Sequence, residues 1–166
     1  MNSSCFRLTR AAGRSRLKSF FAAHSSFDVR EVVSFFGHAN ILALHPTTLE
    51  ITRAHALTPK GDCIVGVRAD KASADLSDAV KGAIRQEGRP IRLTLLVGGL
   101  SFSFLARGSE ALSLSSKEAI IVRKSSYTNC KKTIAIRSEA AAADLPRALV
   151  ALLREGAKGE LLIEPL

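Results

Sequence analysis

Beyond residue 28, apolar and polar positions alternate with a period of two over much of the chain. In LSFSFLA at 100–106, Leu100, Phe102 and Phe104 share one face, which predicts a strand. Similar runs are VREVVSFF at 29–36, PIRLTLLV at 90–97 and ELLIE at 160–164. TTLEIT at 47–52, EAIIVR at 118–123, CIVGVR at 63–68 and KTIAIR at 132–137 add β-branched residues to the pattern. Short strands are expected at 40–44 and 111–114. Two stretches carry helical spacing instead: Leu76, Ala79, Val80, Ala83 and Ile84, then Leu145, Leu149, Leu152 and Leu153. Asp75 and Asp144 are the expected N-caps, because a carboxylate accepts from the free amides of a first turn. Pro146 suits that first turn, Gly88 and Gly156 suit helix ends, and Gly98-Gly99 suits a tight turn. The pattern predicts a mainly β fold, a sandwich or partly closed barrel of about ten strands with two short helices. An α+β layer fold is the alternative.

The chain also resembles itself. RADKASADL at 68–76 matches RSEAAAADL at 137–145, and GHANILALHPTTLEIT at 37–52 matches GSEALSLSSKEAIIVR at 108–123. A duplication is expected, with units 28–98 and 99–166 forming one β-rich domain and a ligand groove at their junction. Gly37/Gly108, Arg68/Arg137, Asp70/Glu139 and Asp75/Asp144 are kept in both units and are assigned to folding. His38 faces Ser109, His45 faces Ser116, Glu50 faces Ile121 and Lys71 faces Ala140, while Gly61-Asp62-Cys63 has no equivalent. Function is therefore expected in the first unit, between His38 and Lys71.

Composition narrows the classes. Hydrophobic content of 46% and charged content of 23% are those of an ordinary globular protein. No apolar run approaches the roughly 20 residues that span a bilayer, so no membrane partner is expected. Cys5, Cys63 and Cys130 are odd in number and widely spaced, which argues against a disulfide framework and suits a reducing cytoplasm. The net charge is +9, and Arg7, Arg10, Arg14, Arg16 and Lys18 place more than half of it before residue 28, where no acid occurs. That segment reads as a basic disordered extension over 1–27, and its composition imitates a mitochondrial presequence. A basic chain attracts polyanions, RNA above all, without thereby being specific for them.

FFGHANILALHPTTLEIT, LTPKGDCIVGVRADKASADL, IVRKSSY and TIAIRSEAAAADL resemble an archaeal family, the domain of unknown function numbered 371, from about Phe27 to Leu166. The resemblance implies a mainly β, jelly-roll-like fold and an archaeal source, which removes the presequence reading. It implies no activity. A lysine common in the family is replaced here by Ala140.

Three chemistries compete for the polar set. An RNA- or phosphate-ligand-binding module would use Lys71, Asp70, Arg53, Glu50, Thr48, Arg123 and Lys124, with Lys131, Lys132 and Tyr127 nearby. Lys71 leads, because a lysine just before a helix start opposes the macrodipole unless an anion sits there. An enzyme would use Cys63 as nucleophile, His38 or His45 as base, and Asp62 or Asp70 to orient the ring. A zinc site would draw on His38, His45, Cys63 and Glu50 or Asp70, but the spacing matches no signature. No cofactor is expected, and the residues leave oligomeric state open.

Overall fold

The computed structural model describes residues 29–166, so the expected arm over 1–27 lies outside the described residues. Among the described residues eight strands form: β1 (Glu31–Phe36), β2 (Thr48–Thr52), β3 (Ile64–Gly66), β4 (Pro90–Val97), β5 (Leu100–Arg107), β6 (Ala119–Arg123), β7 (Thr133–Ala135) and β8 (Lys158–Pro165). Two helices, α1 (Asp78–Ile84) and α2 (Arg147–Arg154), lie between them in sequence. Each is preceded by a 3-10 turn, at Ser73–Asp75 and Ala142–Asp144. The order of three strands, turn, helix and strand thus occurs twice.

The strands make two four-stranded sheets, ordered β1-β8-β4-β5 and β3-β2-β6-β7. Neither closes into a barrel. One apolar core draws on both sheets, with Val33, Phe35, Leu93, Leu95 and Ile163 from the first and Leu49, Ile51, Ile120 and Val122 from the second. The arrangement is sandwich-like. In the first sheet each half supplies an edge strand to the other: β1 pairs with β8, and β5 pairs with β4. In the second, β2 and β6 pair antiparallel at the centre, and β3 and β7 run parallel outside them. No helix among the described residues is long and apolar enough to cross a membrane.

The count is eight strands rather than ten, because 40–44 and 111–114 form none. Their alternation has another cause. Ile41, Ala43, Leu112 and Leu114 are all buried, but Ala43 and Leu114 have φ of 51° and 49°, a left-handed conformation that breaks a ladder. Asp75 and Asp144 are not N-caps either. Each carboxylate reaches back and accepts from an amide three residues earlier, Ala72 at 2.8 Å and Ala141 at 2.9 Å, closing the 3-10 turn. The cap of α1 is Ser77, whose hydroxyl accepts from the Val80 amide. Pro146 occupies the cap position of α2 rather than its first turn.

Gly98 and Gly99, both with positive φ, make the two-residue turn between β4 and β5. Gly37 and Gly108 admit the last turns of α2 and α1: a Cβ there would stand 1.9 Å from the Leu153 carbonyl oxygen and 2.1 Å from that of Ile84. Gly66 and Gly159 lie against the Phe35 ring, fully buried between the sheets.

Candidate functional site

The edge of β1 accounts for several of the polar residues. Its outward groups are covered one by one. Phe36 exchanges two 2.8 Å hydrogen bonds with Val67, and Ser34 accepts from the Asp70 amide while donating its own amide to the Asp70 carboxylate. Lys71 donates to the Val32 carbonyl at 3.1 Å. Glu139 repeats the Asp70 arrangement on Leu105 of β5.

Lys71 also meets an anion, and that anion is internal. Its ammonium lies 2.6 Å from one Glu31 oxygen, and the other Glu31 oxygen accepts from the Ser77 amide at 2.8 Å, at the start of α1. The lysine before the helix is thus balanced by a carboxylate brought from β1. Burial pushes the Glu31 carboxyl up, but the Lys71 and Ser77 contacts outweigh it and hold the group below its ordinary value. A carboxyl lowered on folding contributes stability above its unfolded value, and that contribution disappears as pH falls through the folded value. Glu31→Gln is expected to be less stable than wild type at neutral pH and to lose less stability on acidification below about pH 4.5. Urea titrations across that range measure the difference. Asp144, held low by Lys124, titrates in both proteins and leaves it unaffected.

Three more of the predicted cations are paired in the same way. Arg53 meets Asp75 at 3.2 Å, and Lys124 meets Asp144 at 2.7 Å. Lys132 lies 3.8 Å from Glu50 and 3.3 Å from Glu118. Thr48 and Arg123 are directly opposite across β2 and β6.

The two histidines serve turns. His38 Nδ1 accepts from the Asn40 amide at 3.0 Å, and His45 Nδ1 accepts from the Thr47 and Thr48 amides at 3.2 and 3.0 Å. Ser109 and Ser116 do the same in the other half, each accepting with its hydroxyl from the amide two residues on. The histidine-to-serine difference therefore preserves a backbone-capping acceptor. Cys63 joins neither ring among the described residues. Its thiol points to Glu50 at 3.6 Å, and burial, with Glu50 and Asp62 beside it, pushes it up to about 11. A thiol so placed is a poor nucleophile at neutral pH. Among the described residues no hydrogen bond joins the Cys63 thiol to His38 or His45, and none joins either ring to Asp62 or Asp70, although the His45 amide donates to the Asp62 carbonyl at 3.2 Å. Among the described residues no three His, Cys, Asp or Glu side chains group as a metal site.

A different set converges in the second half. A cavity of about 470 Å³ is lined by Ala111, Ser113, Ser115, Thr128, Asn129, Cys130 and Lys131. A neighbouring one of about 400 Å³ shares Ser115, Cys130 and Lys131 and adds Lys117, Glu118 and Lys132. Their common wall is fixed from the first half: the buried Ser73 hydroxyl donates to the Lys131 carbonyl at 2.7 Å and accepts from the Ser116 amide at 3.0 Å. Arg123 stands over the Tyr127 ring at 5.3 Å and donates to the Thr133 hydroxyl at 3.0 Å. Burial pushes the Cys130 thiol up, but Arg123, the Lys132 amide and the Thr133 hydroxyl hold it below its ordinary value. Lys131 is exposed and makes no ion pair among the described residues.

Ser113, Ser115, Thr128, Asn129 and Cys130 were not among the expected site residues. The available signal was the stretch from Ala119 to Ser138, which holds Arg123, Lys124, Lys131, Lys132 and Arg137 and no acid.

The model of the family described as Domain of unknown function (DUF371) matches residues 33–165. An uncharacterised protein of the archaeon Methanocaldococcus jannaschii is 36% identical over 125 residues, which cover 75% of this chain and 91% of that protein. The match takes in both sheets, both helices and the Cys130–Lys131 pocket, and so the chain belongs to the DUF371 family.

Proposed function

We propose that the chain binds a small phosphate-bearing ligand in the pocket between the 113–115 segment and the 128–131 loop. One observation carries this reading. The larger cavity is lined by three hydroxyl residues, an amide, a thiol and Lys131, with no carboxylate, whereas Arg53, Lys71, Lys124 and Lys132 are each held by one. Hydroxyl and amide donors beside an unpaired ammonium suit an oxyanion. The volume is that of a small-ligand site. The adjoining pocket adds Lys117 and Lys132 beside one carboxylate, Glu118, which lies 3.3 Å from Lys132.

Calorimetric titration with inorganic phosphate and with nucleoside monophosphates tests this. Lys131→Ala is expected to weaken binding roughly tenfold, the worth of a charge-assisted contact. Equal affinity in wild type and variant sinks the assignment. Affinity for RNA, measured against salt, distinguishes the two ligand classes. A slope of several phosphates in log–log form marks an extended nucleic-acid surface, and a shallow one marks a single small ligand.

The Cys130 thiol, held low beside Arg123, favours a second reading in which the same pocket performs thiol chemistry. Cys130→Ser separates the two, because it leaves oxyanion binding in place and abolishes any turnover.

We also read the two halves as copies of one unit. This is supported by their matching order of elements and by left-handed residues in the paired positions Ala43 and Leu114, Arg68 and Arg137.

A further inference from the structure

The two edge strands of the first sheet are not equally protected. On β1 the outward groups of Val32, Ser34 and Phe36 are taken up by Lys71, Asp70 and Val67. On β5 the outward groups of Leu105 and Arg107 are taken up by Glu139 and Ile136. Residues alternate in direction along a strand, so the amides and carbonyls of Ser101 and Ser103 point to the same open edge. None of those four groups has a hydrogen-bond partner among the described residues. The position that would correspond to Lys71 is Ala140, which is buried and has no donor to offer.

The open window is short and bounded. It begins after the Gly98-Gly99 turn and ends where Glu139 occupies Leu105. Its residues are Leu100 to Phe104, and its centre is Phe102. It contains no lysine, proline or other residue that guards natural sheet edges. Leu100 is 40% exposed and Phe102 is only partly buried.

We infer that this edge pairs with the same edge of a second copy, antiparallel about a two-fold axis through Phe102, joining two four-stranded sheets into one of eight. The register follows from the window. With Phe102 opposite Phe102, Ser101 of each copy lies opposite Ser103 of the other. Those are the residues whose free groups face outward, so each such pair exchanges two hydrogen bonds and the interface gains four. Leu100 falls opposite Phe104, and the two Phe102 rings meet as a non-hydrogen-bonded pair, where cross-strand side chains are closest. A self-complementary patch on a two-fold axis closes on itself and does not propagate into a fibre. The Ser103 hydroxyl is already engaged with Thr94 at 2.7 Å on the outer face, leaving the backbone edge clear.

Sedimentation equilibrium of the full chain over a range of concentrations tests the pairing. Wild type is expected to move from the mass of one chain to twice that mass. Ser103→Pro removes one outward amide and suits an edge strand, so it is expected to stay monomeric at every concentration while keeping the cooperative unfolding and far-UV dichroism of a folded β protein. Ser101→Lys with Ser103→Lys places like charges opposite each other across the axis and is expected to do the same. A wild type that remains monomeric at its solubility limit overturns the inference. So does a dimer that persists in both variants while they remain folded.

Discussion

Gly37→Ala is expected to cost about 3 kcal/mol, at or beyond the upper end of overpacking penalties. The new methyl would lie 1.9 Å from the carbonyl oxygen of Leu153 and 2.6 Å from its carbonyl carbon. Both are backbone atoms in the last turn of α2, so no rotamer change relieves the contact. The helix must back away from the end of β1, where the Gly37 amide also donates to Ala157 at 2.8 Å. Leu149, Val150 and Leu153 would leave the core with it. Gly108→Ala meets the Ile84 carbonyl at 2.1 Å and is expected to behave alike. For a chain of this length such a loss lowers the thermal midpoint by roughly 10 °C. Gly82→Ala is the control. Nothing lies within 4 Å of its Cβ position, it sits inside α1, and it is expected to stabilise by about 0.5–1 kcal/mol. A Gly37→Ala protein that melts with wild type would mean that the helix does not approach the strand this closely.

Gly66→Ala is expected to destabilise by about 2 kcal/mol, and the loss should depend on Phe35. The Phe35 ring lies across two glycines. A Cβ on Gly66 would stand 2.3 Å from the ring's Cδ2, and one on Gly159, the cross-strand partner of Phe35 in β8, would stand 2.4 Å from Cζ. Phe35→Ala alone removes a fully buried ring and is expected to cost about 3–5 kcal/mol. In that background the alanine methyl at residue 66 enters the space the ring has left. The double variant is therefore expected to be more stable than the sum of its parts by at least about 1 kcal/mol. Denaturant titrations of the four proteins give the coupling, and additivity would refute the account.

Much of the fold was legible because burial on one face of a sheet writes a period of two into the sequence. β4 at Pro90–Val97 was read to the residue, since Ile91, Leu93, Leu95 and Val97 all turn inward. The same rule misled at Ile41–Ala43 and Leu112–Leu114, where a loop tucks alternate side chains into the core without extended backbone. Left-handed φ at an alanine and a leucine leaves no trace in apolar pattern. The expected helix starts fall two residues early because an aspartate before a helix can cap forward or bond backward. Here Asp75 and Asp144 bond backward.

The candidate site was less legible, and the reason is distance along the chain. Lys71 looked misplaced until Glu31 arrived from 40 residues away, and Arg53 and Lys132 likewise find their carboxylates outside their own elements. His38 and His45 looked reactive beside Ser109 and Ser116, yet ring nitrogen and hydroxyl oxygen accept from the same kind of turn amide. Sequence shows which residues can carry charge. It does not show which charges the fold has already neutralised, and the pocket at Lys131 emerges only by that subtraction.

The exchange of strands in the first sheet has a consequence for how the protein is made. β1 is synthesised early, but its sheet neighbour is β8, and β8 also separates β1 from β4. Until residues 158–165 have left the ribosome, β1 has no ladder to join and Phe35 has no Gly159 to rest on. Folding from the N-terminus as synthesis proceeds, the usual course for separate domains, is closed to this topology. The nascent chain must carry β1 uncommitted until residues 158–165 appear, and the first sheet then closes through contacts of long sequence separation, which are slow to form.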